Sequence, residues 1–199
     1  MVMATLADPA ISLPRQPDGR RPAVRCVPPG ETQAVAERFA AARTTTADPL
    51  VVQAYQQLEA QTDWQFAALT QPWGRYRITV VSTNEATPYA SADELIAAVL
   101  ATRTLEVTAS PGRPHPLLGH AAGSAYFRFR AVHDLVGHVA TGYGFDRDGE
   151  YSAWLAQRRH YTGLARRAAA TELHGEVSAL WATGQFAEHK AVLLDRERG

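Results

Sequence analysis

The chain has 199 residues, of which 46% are hydrophobic and 20% are charged, so it can bury a core of ordinary size. Lys plus Arg and Asp plus Glu number 20 each, and this balance gives no long-range field that would favour nucleic acid or an anionic membrane. Cys26 is the only cysteine, which excludes an internal disulfide and a cysteine-based zinc site. The sequence has no apolar run of about 18 residues and no secretory h-region, so we expect a cytoplasmic protein without a membrane span.

The first 30 residues differ in composition from the rest of the chain. They contain six prolines and no periodic apolar pattern. Such a segment cannot bury enough apolar surface to order itself, so we predict an extended or disordered arm over residues 1–30. Residues 31–199 are then expected to form a single helical metal-binding domain.

Helix and strand signals alternate between residues 31 and 109. ETQAVAERFAAAR predicts a first helix from Glu31, and Asp48-Pro49 has the N-cap and first-turn residues that begin a second. RYRITVVS (75–82) alternates apolar and polar residues like a strand. Ser91 with Glu94 forms a capping box before ADELIAAVLATR, and TLEVTA (104–109) predicts a second strand paired with the first.

After a Pro/Gly-rich loop at 110–124, the remaining signals are helical. We predict helices at about 123–142, 149–161 and 163–183, and a short last helix from about 185. The expected fold class is therefore α+β and mostly helical: a helical core that carries a metal site, with a small two-stranded sheet in the N-terminal half.

The helix predicted at 123–142 places two histidines and an aspartate among apolar residues. Burial of His133, Asp134 and His138 is unfavourable unless each finds a polar partner, and a metal ion would satisfy them together. On a straight α-helix, residues five apart point roughly 140° away from each other. Both histidines can reach one ion only if the helix bends or the ion lies at its edge, and Gly137 could allow a bend or a close approach. Asp134 shares a face with His138, and we expect it to orient a ligand.

Three downstream residues could complete the site: Glu150, His160 and Glu172. Two histidines and one carboxylate on one side of a metal leave open positions, which suits ferrous iron that binds both O₂ and a substrate.

The stretch AVHDLVGHV resembles the iron-binding segment of the pterin-dependent aromatic amino-acid hydroxylases, in which a His-Glu-Leu-Leu-Gly-His run supplies two histidines. The third ligand of that family is a glutamate on a later helix, in a context similar to ATELHGEVSALW. The resemblance implies His133, His138 and Glu172 as the metal ligands. Asp134 stands where the family has glutamate, and the pterin-binding and substrate-binding segments are not visible, so the sequence does not support a pterin cofactor.

Two further resemblances concern the same helix. The wider series of motifs resembles a group of uncharacterised bacterial and phage proteins with a His-Asp-x-x-Gly-His motif, in which Glu150 and His160 would also be shared polar positions. The His133-Asp134 doublet is similar to that of the HD-type metal phosphohydrolases. That resemblance would add His115 or His120 upstream and Asp146 or Asp148 downstream as ligands.

From these observations we predict an enzyme, a mononuclear non-haem iron oxygenase or hydroxylase. Its metal ligands would be His133, His138 and Glu172, with Asp134, Glu150 and His160 as catalytic residues, and its cofactor would be Fe²⁺. The expected partners are O₂ and a small organic substrate, amino-acid-derived or aromatic, and a homodimer is left open. The alternatives are an HD-like phosphohydrolase and a non-catalytic metal-binding or interaction module.

Overall fold

The computed structural model describes residues 23–73, 76–109 and 114–194 of the chain. The helices and strands, in chain order, are α1 (Glu31–Ala41), α2 (Pro49–Thr70), β1 (Thr79–Thr83), α3 (Ala92–Thr102), β2 (Thr104–Thr108), α4 (Ala125–His133), α5 (Arg147–Gln157), α6 (Gly163–Ala170) and α7 (Glu176–Thr183). The prediction of a mostly helical fold with a small two-stranded sheet is confirmed.

Two of the helices contain π-helical turns. Asp134–Val139 continues α4 as a π-helical segment, and Thr171–Gly175 joins α6 to α7 in the same way. A short 3₁₀ turn, Arg158–His160, follows α5. π-helical turns are rare in proteins, and those that occur are frequently at functional sites. The side chains on these two segments are therefore candidates for a functional site.

The sheet consists of β1 and β2, which run parallel with Thr79 opposite Thr104. A parallel pair needs a crossover connection, and α3 provides it. The predicted pairing of the two strands is confirmed, but β1 begins at Thr79 rather than at residue 75. Arg77 has a φ of 52°, in the left-handed region, so the extended backbone is interrupted just before the strand.

The predicted helix starts follow from local capping. The Asp48 carboxylate accepts a hydrogen bond from the Leu50 N–H at 2.8 Å, and Pro49 occupies the first turn of α2. The Ser91 hydroxyl accepts from the Glu94 N–H at 3.2 Å, and the Glu94 carboxylate accepts from the Ala90 N–H at 2.8 Å. Each cap satisfies backbone donors that the helix itself leaves unpaired.

The buried side chains form two clusters that share the continuous helix at 125–139. One cluster lies between the sheet, α3 and the π-helical end of α4, and includes Leu95, Leu105, Leu135 and Val139. The other lies where α2 packs on α4 and α6, and includes Tyr55, Leu58, Phe129, Trp154 and Tyr161. The histidine-bearing helix is therefore enclosed on opposite sides by hydrophobic packing, as its sequence predicted.

The prediction of a short helix from residue 185 is wrong. Gly184, with a φ of 72°, ends α7 in the left-handed conformation, and its N–H bonds to the Leu180 carbonyl. The described chain after it, 185–194, is irregular. Its carbonyl groups accept hydrogen bonds from other parts of the fold: Ala191 from the Thr45 N–H at 3.0 Å, and Val192 from the Thr171 hydroxyl at 2.9 Å. These long-range bonds replace the ones that a helix would make within itself.

The predicted N-terminal arm is described only from residue 23, and residues 1–22 lie outside the described part. The Arg25 N–H donates to the Ser152 hydroxyl at 2.8 Å, and the Val27 N–H donates to the Asp148 carboxylate at 3.0 Å. The end of the arm nearest the domain therefore lies along α5. Among the described residues, no helix combines the length and the apolar character needed to cross a membrane.

Candidate metal centre

The π-helical segment brings His133 and His138 together. Their Nε2 atoms are 3.1 Å apart, and their rings meet edge to face with centroids separated by 4.8 Å. Within the segment, the Ala140 N–H bonds to the Leu135 carbonyl, five residues back, at 2.8 Å. This i to i+5 bonding widens the turn, so residues five apart lie on one face instead of diverging. The bend that the histidine spacing required is therefore a π turn.

Gly137 allows the neighbouring groups to come close to this turn. A Cβ atom at position 137 would lie 3.1 Å from the His133 Nδ1 and 3.2 Å from the Ala153 Cβ. Both separations are tighter than ordinary packing, so a larger residue would push either His133 or α5 away. The predicted role of Gly137 in a close approach is confirmed.

Glu150, in the first turn of α5, faces the two histidines. Its Oε2 lies 3.4 Å from the His133 Nε2, and its Oε1 lies 3.6 Å from the His138 Nε2. The three residues offer one ligand atom each, all within 4.8 Å of one another. Asp146 fixes the start of α5 by accepting the Gly149 N–H at 3.0 Å, and the backbone at Gly149 packs directly on Gly144. This tight turn directs Glu150 toward the histidines.

The outer nitrogens of both imidazoles are held by hydrogen-bond acceptors. The His133 Nδ1 lies 2.7 Å from the Gln157 Oε1, and the His138 Nδ1 lies 3.0 Å from the Tyr143 carbonyl. Since oxygen acceptors face both Nδ1 atoms, each Nδ1 carries the proton, and a neutral ring then has its lone pair on Nε2. When both rings are neutral, their two Nε2 lone pairs and the Glu150 carboxylate face one small space. This donor set fits a metal cation, and the outer acceptors are the usual support for metal-binding histidines.

Glu150 and the histidines also influence each other's ionisation. Burial raises the pKa of Glu150, but the charge of His138 and hydrogen bonds from both histidines outweigh it and lower the pKa to about 2. Burial lowers the pKa of His133, but the hydrogen bond and charge of Glu150 reverse this and raise it. The carboxylate thus stays ionised and makes the space between the rings attractive to positive charge.

The three ligands lie near the surface of the domain. The side chain of His138 is 1% exposed, whereas those of His133 and Glu150 are each 16% exposed. The Phe145 ring covers His138 edge to face, with centroids 4.9 Å apart. One side of the centre is thus closed by apolar packing, while the other reaches solvent.

Glu172, predicted as the third ligand, is not in this group. The structure places it with Glu176 and His189 in a second cluster of ligand atoms. The Tyr55 hydroxyl donates to the Glu172 Oε1 at 2.6 Å and holds the side chain on the α2 side of its helix. The geometric expectation that Glu172 meets His133 and His138 is therefore corrected, and Glu150, predicted as a catalytic residue, occupies the third position.

Asp134 and His160 are not among the grouped ligand atoms of the described residues either. Burial raises the pKa of Asp134, although the charges of His133, Arg130 and His138 act against it. His160 ends the 3₁₀ turn after α5, and its carbonyl accepts from the Gln65 amide at 3.4 Å. Their catalytic roles stay predictions.

The further ligands of an HD-type site are placed elsewhere. The His115 Nε2 lies 3.3 Å from the Glu172 Oε1, in the second cluster. Asp146 caps α5, and Asp148 accepts from the Val27 N–H. Neither these residues nor His120 belong to a group with His133 in the described chain.

The second cluster is more crowded with acidic groups. The His189 Nδ1 lies 2.7 Å from the Glu176 Oε1. Burial and the charge of Glu172 raise the pKa of Glu176 to about 7, against the hydrogen bond from His189. The sequence did not single out His189 as a candidate ligand, because no recognisable motif surrounds it.

A cavity of about 320 Å³ is lined by residues that belong to neither cluster: Arg25, Leu155, Arg158, Arg159 and Arg166. It includes no ligand of either cluster, so its volume says nothing about the size of a substrate at the metal centre.

Comparison of the chain with models of protein families, with curated proteins and with solved structures finds no match.

Proposed function

We propose that the protein is an oxygen-dependent metalloenzyme that holds one ferrous ion with His133, His138 and Glu150 and oxidises a small organic molecule. The observation that carries the proposal is the convergence of two Nε2 atoms and one carboxylate on a single space, with oxygen acceptors beside both Nδ1 atoms.

Three donors are fewer than a divalent iron ion accepts. A face of two histidines and one carboxylate leaves positions for O₂ and substrate, which is the arrangement of non-haem iron oxygenases. When bound, the ion would supply Lewis acidity and the capacity to activate O₂. The 16% exposure of His133 and Glu150 gives small molecules a route to the centre.

The residues of the chain have separate tasks in this proposal. The two histidines and Glu150 hold the ion, while the Gln157 side chain and the Tyr143 carbonyl fix the orientation and tautomer of the rings. Phe145 keeps water from one side of His138. The proposal keeps the two histidines that the hydroxylase resemblance implied and takes the carboxylate from α5, so neither a pterin nor an aromatic substrate is carried over.

The second candidate is a redox-inert structural metal centre. The nearly complete burial of His138, at 1% exposure, favours it, because structural sites are closed to solvent. The HD-like phosphohydrolase is less favoured, because the Asp134 carboxylate and the predicted outer ligands are not grouped with His133.

Anaerobic loading with Fe²⁺, followed by exposure to O₂, tests the proposal. We expect the wild-type protein to bind iron and to show an optical change and O₂ uptake, and the His138→Ala variant to contain one iron fewer per chain. An unchanged iron content in His138→Ala would overturn the site. Zinc bound in place of iron, together with no O₂ uptake by the iron-loaded protein, would support the structural centre instead.

A further inference from the structure

The second cluster joins three elements that are distant in the chain. Glu172 comes from the π-helical turn before α7, Glu176 from the first turn of α7, and His189 from the irregular segment after it. Their ligand atoms all lie within 4.8 Å of one another. This separation is small enough for all three to contact one ion.

Glu172 is a buried carboxylate with only one of its oxygens satisfied. Its side chain is 1% exposed. The Tyr55 hydroxyl donates to Oε1 at 2.6 Å, and the His115 Nε2 lies 3.3 Å from the same atom. The Oε2 atom is buried and has no hydrogen-bond partner among the described residues. A carboxylate oxygen in this condition is unfavourable unless a cation or a water molecule reaches it.

His115 lies beside Glu172 and does not act as a metal ligand in this arrangement. Its Nδ1 accepts the backbone N–H groups of Leu117 at 3.1 Å and Leu118 at 2.9 Å, so the ring proton is on Nε2, the nitrogen that faces Glu172. Tyr55 therefore donates to Oε1, while the His115 Nε2 lies near the same oxygen without a hydrogen bond to it. The side of Glu172 that remains for a cation is Oε2.

The nearest lysine in the sequence does not neutralise this carboxylate. The Lys190 ammonium donates to the carbonyls of Phe39, Ala40 and Ala42 at 2.7, 3.0 and 2.9 Å, at the end of α1. His189 is paired with Glu176, and the His115 Nε2 lies 3.3 Å from the Glu172 Oε1, so neither imidazole is hydrogen-bonded to the Glu172 Oε2. The side chains of Glu176 and His189 are 16% and 21% exposed, which leaves the cluster a path to solvent.

We propose that Glu172, Glu176 and His189 form a second, independent site for one divalent transition-metal ion. Glu172 binds through Oε2, Glu176 through its carboxylate, and His189 through its imidazole after losing the proton that it shares with Glu176. Two carboxylates and one imidazole suit manganese(II), iron(II) or zinc(II). The Tyr55 hydroxyl holds Glu172 in place through Oε1.

Metal counting on the full chain tests this site, with Mn²⁺ and Zn²⁺ as separate probes added to chelator-treated protein. We expect two ions per wild-type chain. The variants Glu176→Gln and His189→Asn, both at partly exposed positions, should each bind one ion fewer. Glu31→Gln is the matched control, because the Glu31 Oε1 pairs with the His174 Nε2 at 3.2 Å without forming part of a three-ligand group. It should still bind two.

The two sites can fail separately. Suppose that the wild-type chain binds one ion only. If Glu176→Gln loses that ion and His138→Ala keeps it, the second site is supported and the first is overturned. One ion that is lost in His138→Ala and retained in both Glu176→Gln and His189→Asn would overturn the second site, as would a wild-type protein that binds no metal. Circular dichroism of each variant establishes that the fold is kept, and Glu176→Gln and His189→Asn serve as replacements for each other if one does not fold.

Discussion

The two clusters use similar side chains, but they differ in how those side chains are supported. In the cluster of His133, His138 and Glu150, both outer imidazole nitrogens are tied to oxygen acceptors, and both inner Nε2 atoms face the Glu150 carboxylate. In the cluster of Glu172, Glu176 and His189, the imidazole already pairs with a carboxylate at 2.7 Å. In both clusters a cation displaces a proton that an imidazole shares with a carboxylate, but in the first cluster oxygen acceptors already hold the outer nitrogens of both rings in the orientation that a metal needs. We therefore expect tighter metal binding at the first cluster.

The strongest test of this comparison removes the charge of each candidate third ligand, Glu150 and Glu172, in a separate variant. Glu150→Gln keeps the size of the side chain but removes its charge. We expect it to weaken metal binding at the His133–His138 cluster by more than about 100-fold, which exceeds the loss caused by removing a hydrogen-bond partner of a ligand. Glu172→Gln should leave that cluster unchanged. Calorimetric titration with Zn²⁺ measures both variants, with Glu59→Gln as a surface control. If the tighter zinc site were lost in Glu172→Gln and kept in Glu150→Gln, the ligand set predicted from sequence would be supported instead.

The support of the outer nitrogens can be removed at one cluster alone. Gln157→Leu deletes the acceptor of the His133 Nδ1, so the ring loses its fixed tautomer, and metal affinity at the first cluster should fall by roughly 10-fold to 100-fold. Gln61→Leu is the matched control, because that glutamine bonds to the Thr162 backbone instead. Equal affinities in the two variants would show that the Gln157 contact does not prepare the site.

Each π-helical turn contains a glycine against which another element packs. An alanine at Gly137 would place its Cβ against His133 and Ala153, and one at Gly175 would lie 2.5 Å from the Leu194 Cδ1 and 2.9 Å from the Phe39 Cδ2. We expect either substitution to lower the free energy of unfolding by about 1–3 kcal/mol, measured by urea denaturation of the metal-free protein. Gly137→Ala should also weaken metal binding at the first cluster, and Gly175→Ala should not. If both variants bind metal more weakly at the first cluster, the two clusters are coupled.

The smallest expected effect concerns the start of the helix that leads to the first cluster. The Ser124 hydroxyl accepts the Phe127 N–H at 3.2 Å, and Ser124→Ala should cost about 1 kcal/mol of stability through loss of this cap. Because the cap lies at the opposite end of α4 from His133, metal affinity should stay the same. Ser91→Ala, at the cap of α3, gives the comparison in thermal unfolding. A change in affinity in Ser124→Ala alone would show that the helix transmits strain to the π turn.

Much of the fold could be predicted because local signals and tertiary packing agree. Asp48-Pro49 and the Ser91–Glu94 pair act within a few residues, so the start of each helix is visible in the sequence. The end of the chain shows the limit of this reasoning. Residues 185–194 have helix-forming residues among them, but their backbone bonds to Thr45 and Thr171, which no local pattern could reveal.

The candidate site was predicted only in part, for a related reason. The spacing of His133 and His138 was enough to require a distorted helix, and the distortion is present. The identity of the third ligand depends on how α5 packs against the π turn. That packing follows from the Asp146 cap and the close approach of Gly149 to Gly144. Glu150 is among the three residues that the sequence offers to complete the site. A glutamate in the first turn of a helix also has an ordinary electrostatic explanation, so the residue type did not favour Glu150 over Glu172 as the ligand.

The π turn at 134–139 also constrains how the sequence of this helix can change in length. A π turn accommodates one more residue than an α-helical turn, so the five-residue histidine spacing and the widened turn depend on each other. Deleting Val136 would leave the histidines four apart, a spacing that an ordinary α-helix aligns. The same deletion would rotate everything that follows by about 100°, including the Tyr143 carbonyl and the turn that presents Glu150. A single-residue deletion here would therefore keep a histidine pair and lose the carboxylate.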